Sequence, residues 1–131
     1  MSAPVPPDPS EAAALDAAWS SLADELDGDR AAVARFAASW VGLLAGRVGA
    51  LDRALRRGDH EAVRDALLSF GCTSTMLGVE GLAGAADRAL EALAHDGVPG
   101  ARRHLDDVSA QSRSATLLVV STLAQGRWSN R

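Results

Sequence analysis

The chain has 131 residues, enough for one domain with one core. Hydrophobic residues make up 47% of it, so it can bury that core, while 4% aromatics and no tyrosine leave little material for strands. Every basic residue is arginine and the formal net charge is -4, which argues against the basic face that nucleic-acid binding requires.

Residues 1–9 hold four of the five prolines and are expected as a disordered, Pro-rich tail. They offer neither a positive segment nor an apolar one, so no secretory signal is expected. Ser10 and Glu11 open a first, short helix. Leu15, Trp19, Leu22 and Leu26 repeat along it, and Asp27-Gly28-Asp29 ends it. One modest stripe suggests a cap lying across the other helices.

Asp29 is a good N-cap for a second helix. Its apolar residues, Val33, Phe36, Ala37, Trp40, Leu44, Val48, Leu51 and Leu55, keep helical spacing. Gly42, Gly46 and Gly49 interrupt it, each costing about 1 kcal/mol relative to alanine. Their spacing suggests close packing against the N-terminal helix, or else a dimer seam or ligand groove. Arg56-Arg57-Gly58-Asp59 then reads as stop and restart: a basic last turn, a glycine cap, and the next N-cap.

A third helix is expected over about His60–Leu77, with Val63, Ala66, Leu67, Phe70, Ser74 and Leu77 toward the core, ended by Gly78. A fourth, about Val79–His95, buries Leu82, Ala86, Ala89, Leu90 and Leu93. After His95-Asp96-Gly97, Pro99 suits the first turn of a fifth helix. There Ala101, Leu105, Val108, Ser112, Ala115, Val119 and Thr122 keep an unbroken spacing up to Gly126. Arg127–Arg131 is expected as a tail with an isolated Trp128. The short connections between helices two to five predict an antiparallel, up-down-up-down four-helix bundle, with one domain spanning 10–126. The longest apolar-leaning run, Ala115–Ala124, is about half the ~20 residues that span a bilayer, so no membrane is expected as a partner.

The usual chemical sites fail in turn. His60, His95 and His104 lie in or beside helix ends without metal-ligand spacing, so no metal or other cofactor is expected. Gly78, Gly81 and Gly84 follow no strand and lack the lysine of a phosphate-binding loop. The single cysteine, Cys72, excludes an internal disulfide and suits a cytoplasmic setting. It is expected as a buried or semi-buried structural thiol. No catalytic residue emerges, and an enzyme is not expected.

The segment from Ala54 to Ala83, ALRRGDHEAVRDALLSFGCTSTMLGVEGLA, resembles the histidine phosphotransfer (HPt) family. That family's pattern runs Gly-Asp, then His-x-Leu-Lys-Gly-Ser, three residues and Leu-Gly, then a helix starting with a small residue and x-x-Leu. Gly58-Asp59, Leu77-Gly78-Val79 and Leu82 supply its frame. Helix order from about Phe36 to Leu123 also fits. Ten residues before Gly78, where the family carries its phospho-accepting histidine, stands Leu68. Gly71 takes the lysine position and Cys72 the glycine position. Leucine has no nucleophilic nitrogen and cannot carry a phosphoryl group.

The resemblance implies a pseudo-HPt module that docks the receiver domain of a response regulator, or a sensor kinase, without carrying phosphate. On the helical wheel Leu68 stands off the core stripe, among Arg64, Asp65, Gly71, Cys72 and Thr75. It either widens the buried stripe or stands exposed over a floor of small residues, as a docking face. Two other readings stay open. One is active phosphotransfer through His60, His95 or His104. The other is a structural bundle that forms a homodimer through Leu117, Leu118, Val120 and Trp128.

Overall fold

The structure, a computed structural model, describes residues 9–128. Of the tail expected at 1–9, only Pro9 lies within them, and it opens the first helix. Five helices follow: α1 (Pro9–Glu25), α2 (Arg30–Arg57), α3 (His60–Met76), α4 (Glu80–Arg102) and α5 (Leu105–Ala124). Among the described residues there is no strand. Helix α2 packs on α3 and α5, and α4 packs on the same two, so these four share one apolar core. Helix α1 packs on α2 and α3 from outside that circuit.

The caps form as their residue types dictate. The Asp29 carboxylate accepts from the Ala32 N–H at 2.9 Å, and that of Asp59 from the Ala62 N–H at 3.1 Å. Each satisfies a donor that a helix start leaves open. Arg56 and Arg57 end α2 and Gly58 caps it at φ 67°. The core stripe of α2 holds at Val33, Ala37, Trp40, Leu44, Leu51 and Leu55 and adds Ala54. Phe36 departs from the expectation and is exposed: it lies at the edge of that stripe, at the wheel angle of Ala54, and only the Ala54 end of α2 is covered there. By length and composition α2 passes for a membrane span, which the run at 115–124 does not.

The α2 glycines do not carry the packing expected of them. A Cβ added at Gly42 or Gly46 would meet nothing within 4 Å, and at Gly49 only the guanidinium of Arg53. Close approach occurs instead at Gly78, in the turn between α3 and α4. Its φ is 72°, and a Cβ there would fall 2.6 Å from the Ala18 Cβ and 2.9 Å from the Ala14 carbonyl oxygen. The turn closes through Val79 N–H to Ser74 O (2.8 Å) and Gly78 N–H to Thr75 O (3.1 Å). That is the paired bonding by which a left-handed glycine ends a helix.

The break expected at His95-Asp96-Gly97 is present: Gly97, at φ 72° and ψ -164°, leaves the helical conformation, and a short helical stretch holding Pro99 carries α4 on to Arg102. A tight turn follows, with Arg103 N–H to Gly100 O (3.2 Å) and His104 N–H to Ala101 O (2.9 Å), before α5 starts at Leu105. The apolar spacing from Ala101 to Leu105 runs through this break because the turn keeps the helical phase. On α5, Leu118 is buried, contrary to its expected exposure, while Leu117 and Val120 face outward. Ser74 and Ser112 hold their expected core places, with hydroxyls that find no hydrogen-bond partner.

Trp128 is no isolated tail residue, because Gly126, at φ 78°, turns the chain back onto α1. The Trp128 side chain is fully buried, edge-on to Trp19 with ring centroids 5.3 Å apart. Its Nε1–H donates to Asp16 Oδ1 at 3.1 Å, and the Arg30 guanidinium lies 3.8 Å over its ring. Trp19 in turn donates its Nε1–H to the Leu77 carbonyl at 3.0 Å, inside the core. The folded unit therefore extends past residue 126, to Trp128 at least.

Two substitutions of the same kind should move stability in opposite directions. Gly78→Ala puts a side chain at positive φ and into α1, and should cost about 2–4 kcal/mol. Gly42→Ala fills open space in a helix interior and should gain up to about 1 kcal/mol. Chemical denaturation of the two variants beside the wild type measures both.

Candidate functional site

Leu68 is 40% exposed, so it stands outward and does not widen the buried stripe. The adjacent positions follow from helix geometry. Leu67 and Phe70 are taken up by the core, and the next side chains round the helix, Leu68, Gly71, Cys72 and Thr75, come out beside α4. There they line a groove of about 420 Å³, closed on the other side by Asp87 and Leu90 of α4.

The groove exists because its floor is small. Gly71 stands over Ala86, and a Cβ at Gly71 would lie 3.9 Å from both the Ala86 Cβ and the Asp87 carboxylate. These are ordinary contact distances, so larger residues at 71 or 86, rather than a change of backbone, would fill it. The lining is mostly apolar, with Thr75 and Asp87 as its polar groups. Leu68 rises from one wall as an exposed apolar side chain.

Four of the six residues expected on this face come together here: Leu68, Gly71, Cys72 and Thr75. Arg64 and Asp65 are exposed one turn earlier on α3 and do not line the groove. Cys72 is exposed, not buried as expected, because it lies on the side of α3 opposite Ser74 and Phe70. The α4 wall was not legible from α3 alone. Leu90 was expected in the core and is half-buried, its remaining surface forming part of the groove. Asp87 carries no sequence signal beyond its place one turn before Leu90.

A second recess of about 270 Å³ is lined by Arg88, Glu91, Ala92, His95, Asp96 and His104. It brings together two histidines that lie nine positions apart across the break after α4. His60 stands apart and exposed at the start of α3. Among the described residues no three His, Cys, Asp or Glu side chains are grouped so as to hold a metal ion.

The Leu68 groove offers shape and apolar surface. Its lining residues include one carboxylate and one thiol but no histidine, lysine or arginine, so they supply no imidazole and no cation for a phosphate. No family model, curated protein or solved structure matches this chain.

Because Leu67 is buried and Leu68 is not, Leu67→Ala should cost about 2–5 kcal/mol and Leu68→Ala under about 1 kcal/mol. Denaturant titrations check the pair. The Cys72 thiol should react completely with a maleimide in the folded protein, at a rate little changed by denaturant. A thiol protected until the chain unfolds would contradict the geometry.

Proposed function

We propose that this chain is a pseudo-HPt docking module: a scaffold of the histidine phosphotransfer kind that binds a receiver domain or a sensor kinase and carries no phosphate. In this reading α2–α5 form an antiparallel, up-down-up-down four-helix bundle. Its connections support that arrangement, since two residues separate α2 from α3, three separate α3 from α4, and two separate α4 from α5. Two cross-ties fit it as well. Arg30, at the start of α2, donates to the Arg127 carbonyl just beyond α5 (2.7 Å), and Arg102, at the end of α4, donates to the Leu55 carbonyl near the end of α2.

The observation that carries the reading is the groove beside Leu68. The residue at the family's acceptor position is an exposed leucine, on a helix whose neighbouring face is kept open by Gly71 and Cys72. Leu68 would serve as an apolar anchor for the partner, with Leu90 beside it and Thr75 and Asp87 at the polar rim. A cytoplasmic setting belongs to the same reading. So does the absence of an enzymatic step, as leucine can neither accept nor donate a phosphoryl group.

A second reading, self-association, is favoured by the outer face of α5, where Leu117 and Val120 are 46% and 51% exposed. Leu117→Glu is the variant that tests it, because Leu118 is buried and its replacement would disturb the core. A wild-type dimer that becomes a monomer in this variant, by size exclusion with light scattering, would favour that reading.

The docking reading predicts saturable binding of a receiver domain, in its beryllofluoride-activated or its free form. Leu68→Arg should weaken that binding at least tenfold while leaving the thermal midpoint within a few degrees. Incubation with a labelled phospho-receiver should leave no acid-labile phosphate on the chain. Label that disappears with His95→Gln or His104→Gln would instead establish a working phosphotransfer protein.

A further inference from the structure

We propose that α1 and the segment Gly126–Trp128 form a latched lid, one that opens as a unit from the core shared by α2–α5. Three features of α1 mark it as the separable element. It shares less packing with the other helices than any of them does, and it buries three side chains, Leu15, Trp19 and Ala23, against four in α3, a helix of the same length. Its last turn holds Asp24 and Glu25 and no basic residue, so its charges oppose the helix dipole. Its link to α2 is exposed and turns through Asp27 at φ 59°, a left-handed conformation that aspartate tolerates better than most residues.

The hydrogen bonds and ring contacts that hold this helix are concentrated around Trp19. Trp19 reaches into the fold to donate to the Leu77 carbonyl, while Ala14, Leu15 and Ala18 lie on Gly78. The other side of Trp19 is covered by Trp128, from the far end of the chain. Trp128 is held within the lid and to the core: Asp16 of α1 accepts its indole N–H, and Arg30 of α2 stacks on its face. Arg127 adds an ion pair to Asp16 at 3.5 Å, and Arg30 holds the Arg127 carbonyl. The last described residues thus lie over α1 and tie it to the start of α2.

Opening would uncover Leu77, Gly78 and Val79 at the end of α3. That end adjoins the recess that α1 forms with Thr75 and Met76, and Thr75 also lines the Leu68 groove. The lid would therefore govern one end of the α3 surface. Whether that surface binds a receiver domain is a separate question, and the lid stands without it.

Hydrogen–deuterium exchange on the full-length chain tests the lid. In the wild type, α1 amides should exchange faster than the buried parts of α2, α4 and α5. In Trp128→Ala, amides of α1 and of residues 77–79 should speed up together, on the order of a hundredfold, with α2, α4 and α5 within about twofold of wild type. Equal acceleration in all five helices, or none in α1, would overturn the proposal. Arg30→Ala keeps both indoles and changes an exposed residue outside α1, so it decides the question if Trp128→Ala does not fold. It should give the same local pattern at roughly fivefold, and an even or absent response would reject the lid.

Discussion

The indole of Trp19 is the point at which distant parts of the chain are joined. Its N–H satisfies the carbonyl of Leu77, an acceptor that the end of α3 would otherwise leave open inside the fold. That bond fixes the height of α1 over the turn, and the turn accepts α1 because residue 78 has no side chain. With α1 so placed, Trp128 finds an aromatic edge and the Asp16 carboxylate together. Burying an indole without a partner for its N–H would cost about 1–3 kcal/mol, and each of these two has one. The order of dependence runs from Gly78 to Trp19 to Trp128, although the sequence positions are far apart.

The Leu68 groove follows from a different constraint. Alternation round α3 commits Leu67, Phe70 and Ser74 to the core, and the neighbouring positions must then emerge between α3 and α4. Their smallness leaves space where larger residues would have closed the joint. A helix pair that retains such a gap forgoes apolar burial, at about 25 cal/mol for each Å² left wet. That cost is intelligible if something else covers the surface part of the time. The apolar Leu68 at its edge is suited to contact and chemically inert.

Much of the fold is legible in the sequence, for local reasons. Asp29, Asp59 and Gly58 act within one turn of themselves, so their roles can be read from neighbours alone. The core face of α3 follows from period alone. What could not be read depends on partners far along the chain. Nothing around Trp128 signals that residues more than a hundred positions earlier would bury it. Gly78 reads in sequence as a helix end, but nothing near it shows that α1 lies on it, nor that Gly42 and Gly46 face open space. The break before Leu105 hides because its turn preserves the helical phase. Of the candidate site, the α3 wall could be derived from the wheel, whereas Asp87 and Leu90 enter only through the packing of α4. Cys72 departs from the usual place of a lone cysteine, as apolar filling, because its wheel position faces outward.

The pairing of Trp19 with Trp128 also decides how the protein absorbs and emits light. With no tyrosine, the near-ultraviolet spectrum belongs almost wholly to three tryptophans. Two of them sit edge to face at one end of the molecule, close enough for their transitions to couple and give a strong circular-dichroism signal. The third, Trp40, donates its N–H to the Thr73 hydroxyl at 3.0 Å, between α2 and α3. A melting curve followed by tryptophan absorbance, fluorescence or near-ultraviolet dichroism is therefore no even average over the helices: it weights the junction of the two chain ends, and α4 and α5, which carry no tryptophan, are nearly silent in it.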